Sequence, residues 1–143
     1  MLIPFHKCIQ LAGFHFQGVL HVGAHLGEEI SDYKGYGVKN VIWFEANRNL
    51  MAQLFENTRR YDVKQEYFCE VLSNTDDEEV NFAITNNGQS SSILELGTHK
   101  KHHPHIHVVD TKKLKTKRFD TFVKNNPSKK SNTERFKILP MIK

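Results

Sequence analysis

At 143 residues the chain has the length of one domain with its own core, and it is too short for two comfortable ones. Hydrophobic residues at 38%, charged residues at 25% and a mean hydropathy of −0.54 describe a soluble protein and exclude a membrane-spanning segment. The net charge of +4 raises the question of nucleic acid, but no helix-turn-helix, zinc finger or aromatic-interleaved RNA motif accompanies it.

Pro4, His6, Lys7 and Gln10 break the mildly apolar N-terminus before it becomes a signal-peptide core, so a cytoplasmic address is expected. Cys8 and Cys69 fit no metal-binding or redox spacing and are expected as reduced thiols, Cys69 within a core strand. The first core strand is predicted at residues 18–22, between punctuating glycines. A short helix follows Gly27, with Glu28 and Glu29 in its first turn and Gly35 and Gly37 at its end. Residues 38–44 read as a continuous apolar strand covered on both faces. Asn47 is placed to cap a helix that carries Leu50, Met51, Leu54 and Phe55 on one face and runs to about Tyr61.

Residues 66–72 read as a third strand, and strand, helix, strand, helix, strand in this order implies parallel pairing with right-handed crossovers. The alternating run 79–85 leads into Asn86-Asn87-Gly88 and predicts an edge strand or hairpin. Gln89 to Ile93 is a polar loop, a further strand is expected around residues 106–109, and residues 117–123 suggest a last strand-to-helix element. The fold class expected is α/β, a Rossmann-like doubly wound sheet that is incomplete, with a small β-hairpin addition. Residues 1–124 form its domain and residues 125–143 have the composition of a basic, flexible tail.

The chemistry concentrates at the glycine turn after the first strand and the acid after the second. Glycines at 23 and 27 suit a tight turn beside a ligand, and Glu45 follows roughly 20 residues later, where a carboxylate can accept the hydroxyls of a ribose. A plain strand-helix-strand unit with a capping acid would read the same way. The loop is Gly-x-x-x-Gly and lacks the third phosphate-binding glycine, which argues against a nicotinamide dinucleotide. His99, His102, His103, His105 and His107 cluster around Pro104 and read as a loop rather than a metal site. The lysines at 100, 101, 112, 113, 115, 117, 124, 129 and 130 read as a solvated face, with a basic nucleic-acid module as a lesser alternative.

The runs 19–29 (VLHVGAHLGEE), 43–47 (WFEAN), 90–93 (SSSI) and 118–123 (RFDTFV) together resemble the FkbM-type S-adenosylmethionine-dependent methyltransferases, over roughly residues 18 to 123. The resemblance implies S-adenosylmethionine as cofactor, contacted by Gly23, Ala24, His25, Gly27, Glu45 and Ser91, with the glycine loop facing its methionine part and Glu45 its ribose. The implied reaction is methyl transfer to a hydroxyl of a sugar or glycoside. His21 and His25 are the histidines nearest the loop, each equally explained as packing, and no catalytic residue is assigned. Many members carry an acid where His21 stands, and the family's later Asp-x-x-Gly-x-Glu strand has no counterpart in residues 125–143. A truncation or frameshift near Asn125 would explain this. The alternative expectation is a cofactor-binding remnant, or a subunit whose sheet is completed by a homodimer mate or partner chain.

Overall fold

A computed structural model describes residues 18–86 and 107–126, together with His6, Lys7, Gln10 and the strand Lys137–Ile138. The described elements, in chain order, are β1 (Gly18–Val22), α1 (Ile30–Gly35), β2 (Asn40–Phe44), a 3-10 turn (Arg48–Leu50), α2 (Met51–Thr58), β3 (Lys64–Phe68), β4 (Val71–Leu72), β5 (Glu79–Thr85), β6 (Val108–Lys117), α3 (Phe119–Asn125) and β7 (Lys137–Ile138). The fold is α/β, built on a parallel sheet in the order β3-β2-β1-β7. A second sheet has the order β4-β6-β5.

Alternation along the first two strands divides the core into two layers. Val19, Val41 and Trp43 face one way and pack with Ile30 and Tyr33 of α1 and Leu54 of α2. Leu20, Ile42 and Phe44 face the other way and pack against Phe122 of α3. Strands β1 and β2 are therefore apolar on both sides, which is why their sequence runs without polar alternation. Aromatic rings fill the second layer: Phe122 lies 5.0 Å from Phe44 and 4.7 Å from Phe68, both edge-on.

Several elements depart from the expectation drawn from sequence. The third strand is not continuous over 66–72. It pairs with β2 as far as Phe68, breaks at Cys69 and Glu70, and resumes as β4, whose Val71 and Leu72 pair in parallel with Thr116 and Lys117 of β6. Cys69 accordingly sits half-buried at this break and not within a core strand. Asn47 does cap, accepting from the Asn49 amide, but the turn it starts is 3-10 and the α-helix begins only at Met51. That helix ends at Thr58, short of Tyr61, and its buried stripe is Leu54 and Thr58. Phe55 is 46% exposed, packed edge-on against Tyr67. Glu28 precedes α1 and bonds to the ring of His25, so the acid in the first helical turn is Asp32.

Strand β5 lies at the edge, as expected, but its antiparallel mate is the ten-residue β6, which runs to Lys117, well past the short strand expected around residues 106–109. They close where the Asn86 amide donates to the His107 carbonyl at 3.0 Å, so residues 87–106 connect them and a two-residue turn does not. Asn87 and Gly88 of the expected turn lie outside the described residues. Residues 137 and 138, from the segment read as a tail, pair in parallel with Val19 and Leu20 of β1.

Helix α3 is capped from a distance. Its own Asp120 pairs with Arg118, while Asp76, in the loop after β4, accepts from the Arg118 amide at 2.9 Å and from the Thr121 hydroxyl at 2.7 Å. The Arg118 amide, then the Thr121 hydroxyl, hold the Asp76 carboxyl below its ordinary value of 3.8. A carboxyl depressed in the native state adds stability that is fully present above its unfolded value and is lost as pH falls through the native one. Asp76→Asn is therefore expected to lower the urea midpoint at neutral pH, and the gap from the parent is expected to close as pH drops below about 4. A gap independent of pH would mean that charge on Asp76 does not support the helix.

Candidate functional site

Register brings the site together. Val22, Phe44 and Phe68 lie in one row across β1, β2 and β3. Gly23, Glu45 and Cys69 consequently leave the sheet at the same level, on the carboxyl edge where parallel sheets bind ligands.

The loop after β1 is tightly wound. Gly23, His25 and Gly27 all have positive φ, at 78°, 53° and 71°. At Gly23 a Cβ would meet nothing within 4 Å, so glycine is required there by backbone conformation rather than by crowding. Gly27 has both reasons, since a Cβ would fall on the side chain of Thr58 and 2.8 Å from Leu54 of α2. Ala24, fully buried, points into the layer beneath α1 and α2 and anchors the loop instead of facing outward.

Glu45 holds this loop to the turn after β2. Its Oε2 accepts from the His25 amide at 2.7 Å and its Oε1 from the Asn47 amide at 2.8 Å. The residue is 7% exposed. A carboxylate removed this far from water requires such donors, and bonds to a charged acceptor are the stronger kind. The Gly23 and Ala24 amides both donate to the Phe44 carbonyl, and the Gly27 amide to the Ala24 carbonyl. Four loop amides are thus committed within the chain, which leaves them unavailable to a pyrophosphate of the kind that glycine-rich dinucleotide loops cradle.

Gly23, Ala24, His25, Gly27 and Glu45 are accordingly gathered at one point. Comparison with protein-family models and with curated proteins finds no match for this chain. Ser91, the sixth residue expected here, lies outside the described residues, as do His99, His102, His103 and His105. His107 starts the approach to β6, and among the described residues no three His, Cys, Asp or Glu side chains gather as metal ligands do. No helix among the described residues is long and apolar enough to cross a membrane.

His21 and His25 part company. His21 is fully buried beneath α1, its Nδ1 2.8 Å from the Tyr33 hydroxyl and its ring 5.0 Å from that of Trp43. It belongs to the core layer and not to the carboxyl edge. His25 stays in the loop, with its Nδ1 bonded to Glu28 and its ring 11% exposed.

Reasoning from sequence missed the cleft beside Glu45. It measures about 110 Å³ and opens between the turn after β2, the break after β3 and the β5–β6 pair, with Asn47, Cys69 and Phe82 among its walls. Burial first, then the acids Glu45 and Glu70, push the Cys69 thiol up, with Arg48 opposing them, so the thiol is neutral at physiological pH. Nothing in local sequence signals this cleft, because its walls come from segments brought together only by β4 joining β6.

The two glycines should separate experimentally. Gly23→Ala meets only the left-handed penalty, about 1–2 kcal/mol. Gly27→Ala meets that penalty and a clash with α2, adding about 1–3 kcal/mol. Chemical denaturation of both variants checks the order, and equal losses would contradict the close approach of the loop to α2.

Proposed function

We propose that the chain is an S-adenosylmethionine-dependent methyltransferase domain of FkbM type, with a Rossmann-like doubly wound sheet. The observation that carries this reading is the buried Glu45 carboxylate at the end of β2, level with a glycine loop whose geometry it maintains. Each carboxylate oxygen has two acceptor directions and uses one on a backbone amide, so a pair of ribose hydroxyls has acceptors left to it. The commitment of the loop amides within the chain favours a cofactor without a pyrophosphate, and S-adenosylmethionine has none. The strand order β3-β2-β1-β7, with helices packed on both faces, supports this reading, β7 standing in the place of the fourth strand of a doubly wound sheet.

In this reading the Gly23–Gly27 loop receives the methionine part of the cofactor and Glu45 the ribose. Methyl transfer asks the protein chiefly to align an acceptor hydroxyl with the sulfonium. The acceptor class is a sugar or glycoside hydroxyl, and the family resemblance implies a cofactor contact for Ser91. The core position of His21 removes it from consideration as a base, which leaves His25 as the described histidine nearest the transferred group.

A second reading is favoured by the far edge of β1. Among the described residues that edge is paired at Val19 and Leu20 alone, so a partner chain or a second copy extending the sheet there would complete a domain that binds the cofactor without turning it over alone.

Calorimetric titration with S-adenosylmethionine and S-adenosylhomocysteine, with NAD as control, tests the proposal. Saturable binding of the first two and none of NAD is expected. Glu45→Ala should weaken binding by about 1–3 kcal/mol through loss of charge-assisted hydrogen bonds. Unchanged affinity in a variant shown to be folded would remove Glu45 from the ribose, and absence of binding by the folded parent would remove the proposal. Release of S-adenosylhomocysteine in the presence of glycosides separates the two readings.

A further inference from the structure

Two buried histidines stand near the glycine loop, and their ring partners differ in kind. The Nδ1 of His21 meets the Tyr33 hydroxyl, which can donate or accept, so that bond does not decide which ring nitrogen carries the proton. The Nδ1 of His25 meets Oε1 of Glu28 at 2.5 Å. An ionised carboxylate has acceptors only, so the proton of this bond lies on Nδ1 and a neutral His25 carries its free lone pair on Nε2. Nε2 has no hydrogen-bond partner among the described residues, and the side chain keeps 11% of its surface open.

The backbone that carries this pair is pinned along its length. The His25 amide donates to Glu45 at 2.7 Å, the Leu26 carbonyl accepts from Nδ2 of Asn57 on α2 at 3.0 Å, and the Gly27 amide closes on the Ala24 carbonyl at 2.9 Å. Three residues on, the turn returns the Glu28 carboxylate to the ring. Glu45 bonds to the backbone of His25, so the acid that acts on its ring is Glu28. An imidazole held through one nitrogen by a carboxylate, with the other nitrogen unoccupied, is the arrangement in which histidine takes up a proton. The carboxylate fixes the tautomer and stabilises the imidazolium that forms.

We propose that Glu28 is a positioning residue that makes Nε2 of His25 the proton acceptor for the hydroxyl to be methylated. The inference rests on the methyltransferase reading above and adds to it a destination for the proton. S-adenosylmethionine supplies the methyl carbon: the acceptor oxygen bonds to it as the carbon–sulfur bond breaks and leaves its electron pair on sulfur. The hydroxyl proton passes to Nε2. One positive charge is lost at sulfur and one is gained on the imidazole, where the Glu28 carboxylate faces it.

Imidazole nitrogen chemical shifts of the full chain, recorded at a pH where the ring is neutral, test the pair. Histidine free in water favours the Nε2–H tautomer, whereas His25 is expected as Nδ1–H. Glu28→Gln keeps an acceptor and is expected to preserve that form, and Glu28→Ala is expected to shift it towards Nε2–H. A parent in the Nε2–H form, or a Glu28→Ala variant with the parent's shifts, overturns the proposal. With methyl glucoside as acceptor, Glu28→Ala is expected to lower kcat for S-adenosylhomocysteine release by about tenfold or more and His25→Asn by about a hundredfold or more, with partial rescue by Glu28→Gln. Affinity of Glu28→Ala for S-adenosylmethionine is expected to equal the parent's, and a fall in affinity as large as the fall in kcat would make Glu28 a support of the binding loop and overturn its role towards the proton. A parent in the Nδ1–H form that binds no S-adenosylmethionine refutes the methyltransferase reading, whereas one that binds it in the Nε2–H form refutes the pair alone.

Discussion

A single carboxylate ties together the part of this fold that chemistry would use. Glu45 is taken out of water at the end of β2, and both of its oxygens face backbone amides, one on either side of it in space. One amide belongs to the loop after β1 and the other to the turn after β2. The bond to His25 spans a loop in which three residues out of five have positive φ. Such a conformation is costly outside glycine and persists only where the surroundings over-determine it. Here the surroundings are the carboxylate above, the Phe44 carbonyl beside the Gly23 and Ala24 amides, and α2 pressed against Gly27. Any group that competed for the oxygens of Glu45 would therefore also act on the loop.

The loop can be held this firmly because the strands beneath it are level. With Val22, Phe44 and Phe68 in one row, the backbone ladder continues past the strand ends: the Gly23 amide reaches Phe44, and the Glu45 amide reaches Phe68. Two-sided burial maintains that row. A slip of one residue would send Val19, His21, Val41 and Trp43 to the face that α3 covers and would bring the aromatic layer under α1 and α2. His21 shows the consequence for chemistry. Its position on β1 places it with Trp43 and Tyr33, so a histidine only two residues from the glycine loop is a packing residue.

The central features were legible in sequence because they depend on local rules. The β-branched runs of β1 and β2, the glycines at the turn, the acid at the strand end and the Asn47 cap each follow from neighbours within a few residues. What was not legible depends on contacts distant in sequence. Residues 66–72 carry an uninterrupted strand pattern, and only competition between β2 and β6 for the same chain divides them at Cys69. Asp76 precedes β5 and α3 follows β6, so only their antiparallel pairing brings the two together, and no spacing rule links residue 76 to residue 121. Phe55 carried the helical periodicity of a core residue, yet Leu54 and Thr58 already fill the space between α2 and the sheet. Ser91 and the histidines before His107 belong to the connection between β5 and β6 and stand outside the described residues.

Charge behaves in the same way. The excess of basic residues suggests a uniform positive surface when counted along the chain, but pairing on β6 gives successive lysines different neighbours. Lys113 lies opposite Asn81 and reaches Glu79, Lys117 lies opposite Leu72 and reaches Glu70, and Lys112 lies opposite Phe82 above an apolar floor. The Lys113–Glu79 bridge is exposed enough to contribute little to stability, whereas Lys117–Glu70 is half-buried, and both cancel field where they form. Among the described residues of β6, Lys112 and Lys115 are the lysines without such a bridge. Strand register, more than net charge, decides which of these lysines finds an acid.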